Sequence, residues 1–152
     1  MNWEQLTKAA LSAREMSYAP YSQFRVGAAL LGKSGNIYTG CNIESAAFSP
    51  TNCAERTALF KAVSEGEREF VAIAISGGTD DSPADYFYPC GVCRQMLNEF
   101  VYDDFVVVVA RSVADYKVHS FGELMPFGFG ARDIKYNRLY DSQNTHHVDI
   151  ID

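Results

Sequence analysis

Three cysteines in this chain have the spacing of metal ligands. Cys53 stands at the start of a helical pattern, and Cys90 and Cys93 form a Cys-x-x-Cys pair directly after Pro89. The dipole and the free N–H groups of a helix start favour deprotonated thiols. Three thiolates suit zinc, and a catalytic zinc site keeps its fourth position for water, whereas a structural site closes it with a fourth protein ligand. The count of three therefore favours a catalytic zinc.

Two neighbours of Cys53 fit the same chemistry. Glu55 follows it by two residues, so its carboxylate can reach water at an open zinc position and act as general acid and base. Three thiolates outweigh the charge of zinc by one, and Arg56 can donate to the sulfurs and offset that excess. Taken alone, Glu55 is explained by the electrostatics of a first helical turn, and Arg56 by solvation.

Two other interpretations of the cysteines stay open. Cys41 or His119 would close a structural zinc site if either joined the three sulfurs. Cys90 and Cys93 would form a redox pair of the thioredoxin type if Cys53 stood apart from them.

The elements that position these residues follow from hydrophobic periodicity. Helices are predicted over residues 2–18, 53–65 and 90–100, and strands over 24–31, 37–43, 70–76, 105–110 and 116–121. The continuous apolar run at 70–76 indicates a strand that is covered on both faces. Residues 111–115 are too few for a parallel crossover, so the last two strands should be antiparallel. We therefore predict a three-layer α-β-α sandwich around a five-stranded mixed sheet.

Composition limits the location and the partners. The net charge is −6, and the 13 Lys and Arg residues are scattered, which argues against nucleic acid as a partner. The first residues lack the pattern of a signal peptide, and no apolar stretch is long enough to cross a membrane, so a cytoplasmic protein is expected. One catalytic domain is predicted over 1–140, with a mobile acidic tail over 141–152.

Together these motifs resemble the small homotetrameric zinc-dependent cytidine deaminases. The resemblance runs from about Leu6 to about Ile134 and rests on residues 20–30 (PYSQFRVGAAL), 40–44 (GCNIE), 52–58 (NCAERTA) and 89–93 (PCGVC). It implies one zinc per chain and hydrolytic deamination of the nucleosides cytidine and 2′-deoxycytidine to uridine and 2′-deoxyuridine, with release of ammonia, in pyrimidine salvage. It also implies a homotetramer whose sites are completed across subunits.

The resemblance further implies a role for single residues. Glu55 would move protons to N3 of the base and to the leaving amine. The substrate-binding residues would be Asn42 and Glu44 on the ribose, Phe24 on the base, the Ala54 backbone at the pyrimidine edge, and Phe129 reaching a neighbouring subunit's site.

Each substrate-binding residue has an ordinary explanation when it is taken alone. Phe24 would be core, Asn42 a turn residue, Glu44 solvated, and Phe129 an aromatic that plugs its own core. Their joint appearance in the family's order favours the substrate roles.

The sequence departs from the family's pattern at two places. Phe48 replaces the usual tyrosine, which removes a hydroxyl contact to a neighbouring site, and the loop that ends in Tyr86–Tyr88 is longer. Related polynucleotide deaminases resemble the topology with parallel last strands, which the connection 111–115 argues against. Blasticidin-type deaminases share the metal motif without Asn42 and Glu44.

Overall fold

The computed structural model describes residues 3–79 and 85–134, and these residues form a mixed sheet of five strands with helices on both faces. The helices are α1 (Glu4–Arg14), α2 (Ala54–Ser64), α3 (Gly91–Leu97) and α4 (Phe121–Leu124), with a 3-10 helix at Ala131–Asp133. The strands are β1 (Arg25–Gly32), β2 (Ile37–Cys41), β3 (Phe70–Gly78), β4 (Val106–Ala110) and β5 (Tyr116–Ser120). The predicted three-layer architecture is confirmed.

The strands lie in the order β2-β1-β3-β4-β5. β1 is antiparallel to both β2 and β3, and β4 is parallel to β3 because α3 lies in the connection between them. A turn at 111–115 returns the chain at once, so β5 is antiparallel to β4, as predicted.

Alternation along β3 divides the core between the two faces of the sheet. Ile73 and Ile75 face α2 and α3 in the larger cluster, while Ala72 and Ala74 face α1 together with Leu6. The small alanines allow α1 to lie close to the sheet.

The predicted bounds differ from the observed ones mainly at element ends. The first helix was expected over 2–18 but spans Glu4–Arg14, because residues 15 and 16 form a turn. Cys53 and Cys90 were expected inside their helices, yet both have extended backbone and occupy the N-cap positions of α2 and α3. Their thiols therefore lie at the helix starts, outside the first turns.

Gly40 of β2 brings α2 unusually close to the sheet. A Cβ at this position would lie 2.5 Å from the carbonyl oxygen of Ala54 and closer still to the backbone nitrogen of Ala58. Because only glycine fits this contact, β2 determines the height of α2, and hence of Cys53, above the sheet.

Parts of the predicted organisation lie outside the described residues. These parts are residues 135–140 of the predicted domain and the predicted acidic tail at 141–152. None of the helices within 3–79 and 85–134 combines the length and apolar character that a bilayer crossing needs.

Candidate metal centre and active site

The starts of α2 and α3 bring the three predicted thiols together. The sulfurs of Cys53, Cys90 and Cys93 all lie within 4.8 Å of one another, and the Cys53 and Cys90 sulfurs are 3.8 Å apart. Two sulfurs that are each about 2.3 Å from a tetrahedral zinc are about 3.8 Å apart, so this pair already has the spacing of zinc ligands. The donor set and its spacing fit zinc.

The residues considered as a fourth ligand lie elsewhere. The Cys41 thiol donates to the carbonyl oxygen of Met16 at 3.3 Å, and Nε2 of His119 lies 3.3 Å from the hydroxyl of Tyr88. Among the described residues, no histidine, cysteine or carboxylate joins the three sulfurs in a mutual group. The arrangement therefore favours a three-thiolate site with an open position. The Cys53 sulfur lies beside those of Cys90 and Cys93, so a redox pair formed by Cys90 and Cys93 alone does not explain the position of Cys53.

Glu55 lies in the first turn of α2, next to the cysteine cluster. Its side chain is buried, with 5% of its surface exposed. Burial raises the pKa of this carboxyl to about 7, the negative charge of Cys53 adds to the rise, and a hydrogen bond from Cys93 opposes it. A buried carboxyl of this kind can hold or release a proton near neutral pH.

Arg56 contacts the cluster from the side of Cys53. Its Nη2 donates to the Cys53 sulfur at 3.5 Å, so the predicted contact with a ligand sulfur is present. Hydrogen bonds from Cys93 and Arg56 lower the pKa of the Cys53 thiol, while the Cys53 sulfur and burial raise that of Cys93. Nε of Arg56 is buried and has no hydrogen-bond partner within the described part of the chain.

Asn42 links the β1 and β2 segments next to this site. Its Oδ1 accepts from the backbone N–H of Val26 at 2.8 Å and from the hydroxyl of Ser17, and its Nδ2 donates to the carbonyl oxygen of Phe24 at 2.7 Å. One amide N–H of Asn42 is left over after these bonds. Asn42 is therefore both a structural link and a donor next to Phe24.

Glu44 lies at a cavity of about 430 Å³ lined by Tyr21, Ser22, Glu44, Phe48 and Thr51. Its carboxylate accepts from the backbone N–H groups of Tyr21 at 2.9 Å and Ser22 at 3.2 Å, and from the Ser22 hydroxyl. The Ser22 hydroxyl, helped by these N–H groups, lowers the pKa of Glu44, so it is ionised at neutral pH. The site thus presents a fixed carboxylate to hydroxyl donors.

The segments of Glu44 and Cys53 meet through one short bridge. Ile43 and Asn52 exchange two backbone hydrogen bonds of 2.9 Å each, and Ala54 is fully buried at the first position of α2. The segment that carries Asn42 and Glu44 is thereby fixed to the start of α2, where Cys53 lies.

Phe129 is exposed at the surface of the chain. The residue is 61% exposed, and its carbonyl oxygen accepts from Gln95 at 2.7 Å and from Asn98 at 3.0 Å, both in or next to α3. The alternative that Phe129 plugs its own core is wrong. Gln95 and Asn98 were not predicted from the sequence, because nothing in their spacing indicates a loop carbonyl as partner.

Phe87 is a third residue whose contact the sequence did not indicate. Its ring lies 4.8 Å from the ring of Phe24, centroid to centroid, at an interplanar angle of 87°. The available signal was the run of aromatic residues at 86–88, directly before Pro89.

Comparisons with known proteins agree on one family. The profile described as "Cytidine and deoxycytidylate deaminase zinc-binding region" matches residues 1–109. A cytidine deaminase of Sporosarcina psychrophila is 45% identical over 136 residues, which cover 90% of this chain and 97% of the relative. One of Halalkalibacterium halodurans is 47% identical over 134 residues, covering 88% and 98%. The crystal structure of cytidine deaminase from Burkholderia pseudomallei superposes with a TM-score of 0.77 at 44% identity, covering 85% of this chain and all of that one.

Proposed function

The chain belongs to the zinc-dependent cytidine and deoxycytidylate deaminase family, and we propose that it converts cytidine and 2′-deoxycytidine to uridine and 2′-deoxyuridine. One water molecule is consumed and one ammonia is released in each turnover. The observation that carries this proposal is the cluster of Cys53, Cys90 and Cys93 with the buried Glu55 beside it. It supplies a three-thiolate metal site and a proton carrier in one place.

The chemistry divides between the metal and Glu55. Zinc held by the three thiolates supplies, when bound, the Lewis acidity that makes water a nucleophile at neutral pH. Glu55 takes one proton from the attacking water and delivers it to N3, and it then moves the remaining proton of that oxygen to the exocyclic amine. The oxygen of water becomes bonded to C4, the bond from C4 to the amine nitrogen breaks, and ammonia leaves. Arg56 offsets the negative charge of the thiolates through its contact with Cys53.

Substrate selection is assigned to residues of the segments that lead into α2 and to the first residue of α2. The carboxylate of Glu44 accepts from ribose hydroxyls, and the remaining N–H of Asn42 donates to the same sugar. The ring of Phe24 packs on the base, and the backbone of Ala54 contacts the pyrimidine edge. The cavity at Glu44 and the bridge between Ile43 and Asn52 support this assignment.

We propose a homotetramer in which Phe129 completes the site of a neighbouring subunit. Three exposed aromatic residues support this: Phe48 at 69%, Phe129 at 61%, and the fully exposed Phe127. Phe48 and Phe127 also have φ angles of +57° and +55°, a strained conformation in which an aromatic residue is uncommon. Light scattering measures the assembly, and a monomer would refute this part alone.

We propose free nucleosides, not nucleic acid, as substrates, and a role in cytoplasmic pyrimidine salvage. The net charge of −6 disfavours a phosphate backbone. The antiparallel pairing of β4 and β5 also differs from the parallel pairing of the last two strands that is expected for polynucleotide deaminases. A single-stranded oligonucleotide containing cytosine should therefore remain unmodified under conditions in which cytidine is consumed.

A nucleoside panel with the purified protein tests the activity. Cytidine absorbance should fall during incubation, stop falling after chelation of zinc, and fall again after zinc is restored. Glu55→Gln should keep about one zinc per chain and lose turnover, because the amide cannot carry the proton. Glu65→Gln, the same change at the exposed far end of α2, is the matched control and should leave turnover intact. Retained turnover in Glu55→Gln would place the proton carrier elsewhere.

A further inference from the structure

Three consecutive aromatic residues, Tyr86, Phe87 and Tyr88, lie directly before Pro89 and the ligand Cys90. We propose that Phe87 is a positioning residue that fixes the ring of Phe24 for the pyrimidine base, while its two neighbours fasten the segment to β5. The inference rests on the proposed function, because it assigns to Phe24 the surface on which the base packs.

The rings of Phe87 and Phe24 form a close edge-to-face pair. Their centroids are 4.8 Å apart and their planes are at 87°, a geometry that aromatic rings prefer. Phe24 also receives the bond from Asn42 at its carbonyl oxygen, so both its backbone and its ring have fixed partners.

Gly77 of β3 forms the floor beneath this pair. A Cβ on Gly77 would lie 3.2 Å from Cε1 of Phe24 and 3.3 Å from Cδ2 of Phe87. The two rings therefore rest against the strand, and a methyl group on Gly77 would require both rings to shift by a few tenths of an ångström. Phe24 is enclosed by Phe87 and by the floor at Gly77.

Tyr86 fastens the segment to the β4–β5 hairpin. Its hydroxyl donates to Oδ1 of Asp115, and Nζ of Lys117 lies 4.2 Å from its ring centroid. A cation at this distance from a ring is attracted to its face. Arg111 lies above the same ring at 5.6 Å and pairs with Asp115 at 3.5 Å.

Tyr88 fastens the other end of the segment to β5. Its ring lies 5.3 Å from His119 at 62°, and its hydroxyl is 3.3 Å from Nε2 of the same histidine. Tyr86 and Tyr88 thus contact the β5 side of the sheet, and Phe87, between them, contacts Phe24. The segment that presents Cys90 therefore also holds the base-packing ring.

The expected consequence concerns binding rather than proton transfer. With Phe24 enclosed by Phe87 and Gly77, the base meets a preformed surface and less side-chain freedom is lost on binding. Loss of one edge-to-face pair should weaken nucleoside binding by roughly two- to tenfold. Glu55 and the cysteines are untouched, so the maximal rate should change little.

Steady-state kinetics of zinc-loaded variants test the proposal. Phe87→Leu should raise the KM for cytidine and the inhibition constant of uridine by roughly two- to tenfold, with kcat within about twofold of the unaltered chain. Phe87→Tyr retains a ring and should restore both constants. Adding Phe87→Leu to Phe24→Leu should raise KM no further, because the two residues act as one unit.

Phe100→Leu is the matched control. It removes the edge-to-face pair of Phe70 and Phe100, whose centroids are 6.1 Å apart at the opposite end of β3. It should lower thermal stability and leave KM unchanged. If Phe87→Leu does not fold, Gly77→Ala, which shifts both rings away from β3 by a few tenths of an ångström, should raise KM while kcat is retained.

The proposal is overturned if Phe87→Leu or Gly77→Ala leaves KM unchanged, if only kcat falls, or if the effects of Phe24→Leu and Phe87→Leu add independently. Failure of the unaltered chain to deaminate cytidine would instead refute the proposed function, so the two failures are distinguishable.

Discussion

Replacement of Gly40 by alanine should damage the active site from a position outside it. The new Cβ would lie 2.5 Å from the Ala54 carbonyl oxygen, roughly 1 Å short of the 3.4 Å at which ordinary contact begins. The opposing atoms are backbone, so α2 must move as a body. Overpacking of this kind costs about 1–3 kcal/mol of unfolding free energy, or roughly 2–4 °C in Tm per kcal/mol.

The same displacement reaches the metal ligands. Zinc–ligand distances tolerate about 0.2 Å, so a shift of roughly 1 Å at Cys53 should weaken zinc binding. A misplacement of about 1 Å in Glu55 can cost about a hundredfold in rate. We therefore expect Gly40→Ala to lose zinc and to lower kcat by roughly ten- to a hundredfold even when zinc is supplied in excess.

Thermal melting, metal content and initial rates, measured on the same preparations, check this expectation. Gly35→Ala is the control, because Gly35 has a φ of +90° with open space around it. It should cost about 1 kcal/mol through backbone strain and leave zinc content and kcat unchanged. A Gly40→Ala protein that is less stable but keeps its zinc and its kcat would refute the argument that β2 positions the ligand helix.

Three further substitutions have defined outcomes. Arg56→Gln removes the donor to the Cys53 sulfur and should lower zinc affinity by about ten- to a hundredfold in a chelator competition; an unchanged affinity would assign Arg56 to solvent alone. Phe129→Ala should raise the KM for cytidine while each chain keeps its fold by circular dichroism, because Phe129 is exposed in the single chain. An unchanged KM would contradict its proposed role at a neighbouring site. Ser120→Ala breaks the capping box with Glu123 and should cost about 0.5–2 kcal/mol in a denaturant titration without affecting kcat; a change in kcat would show that α4 supports the site.

The metal site was predictable because its information is local. Each ligand stands at a helix start that periodicity reveals, and the Cys-x-x-Cys pair carries its own spacing. The sheet was predictable for a similar reason, since the short connection 111–115 decides the direction of β5. By contrast, the contact between Gly40 and α2 depends on the height at which two elements pack, which no spacing along the chain encodes.

The substrate side was less predictable because its contacts join segments that are distant along the chain. Phe24 meets Phe87 across 63 positions, and which ring faces which depends on the loop before Pro89. The run of aromatic residues at 86–88 indicates that rings gather there, but its periodicity does not say which ring meets Phe24. Only the three-dimensional structure distinguishes Phe87, which contacts Phe24, from Tyr86 and Tyr88, which contact the β5 side of the sheet.

Asn42 joins the residue proposed to contact the base, Phe24, to the residues proposed to contact the ribose. Two of its bonds join Val26 and Phe24 on one segment, and its backbone N–H donates to the carbonyl oxygen of Val26 at 3.1 Å. Removing its amide would therefore release the Phe24 backbone as well as the donor that we propose for the ribose. A larger loss in Asn42→Ala than in Glu44→Gln would follow from this double role, since Asn42 bonds the Phe24 backbone directly. Glu44 is linked to Phe24 through the Ser22 hydroxyl, which donates to Glu44 and accepts from the Phe24 N–H at 3.0 Å. Phe87 contacts the Phe24 ring and Asn42 bonds the Phe24 backbone, so the proposed contacts to the base and to the ribose share one support.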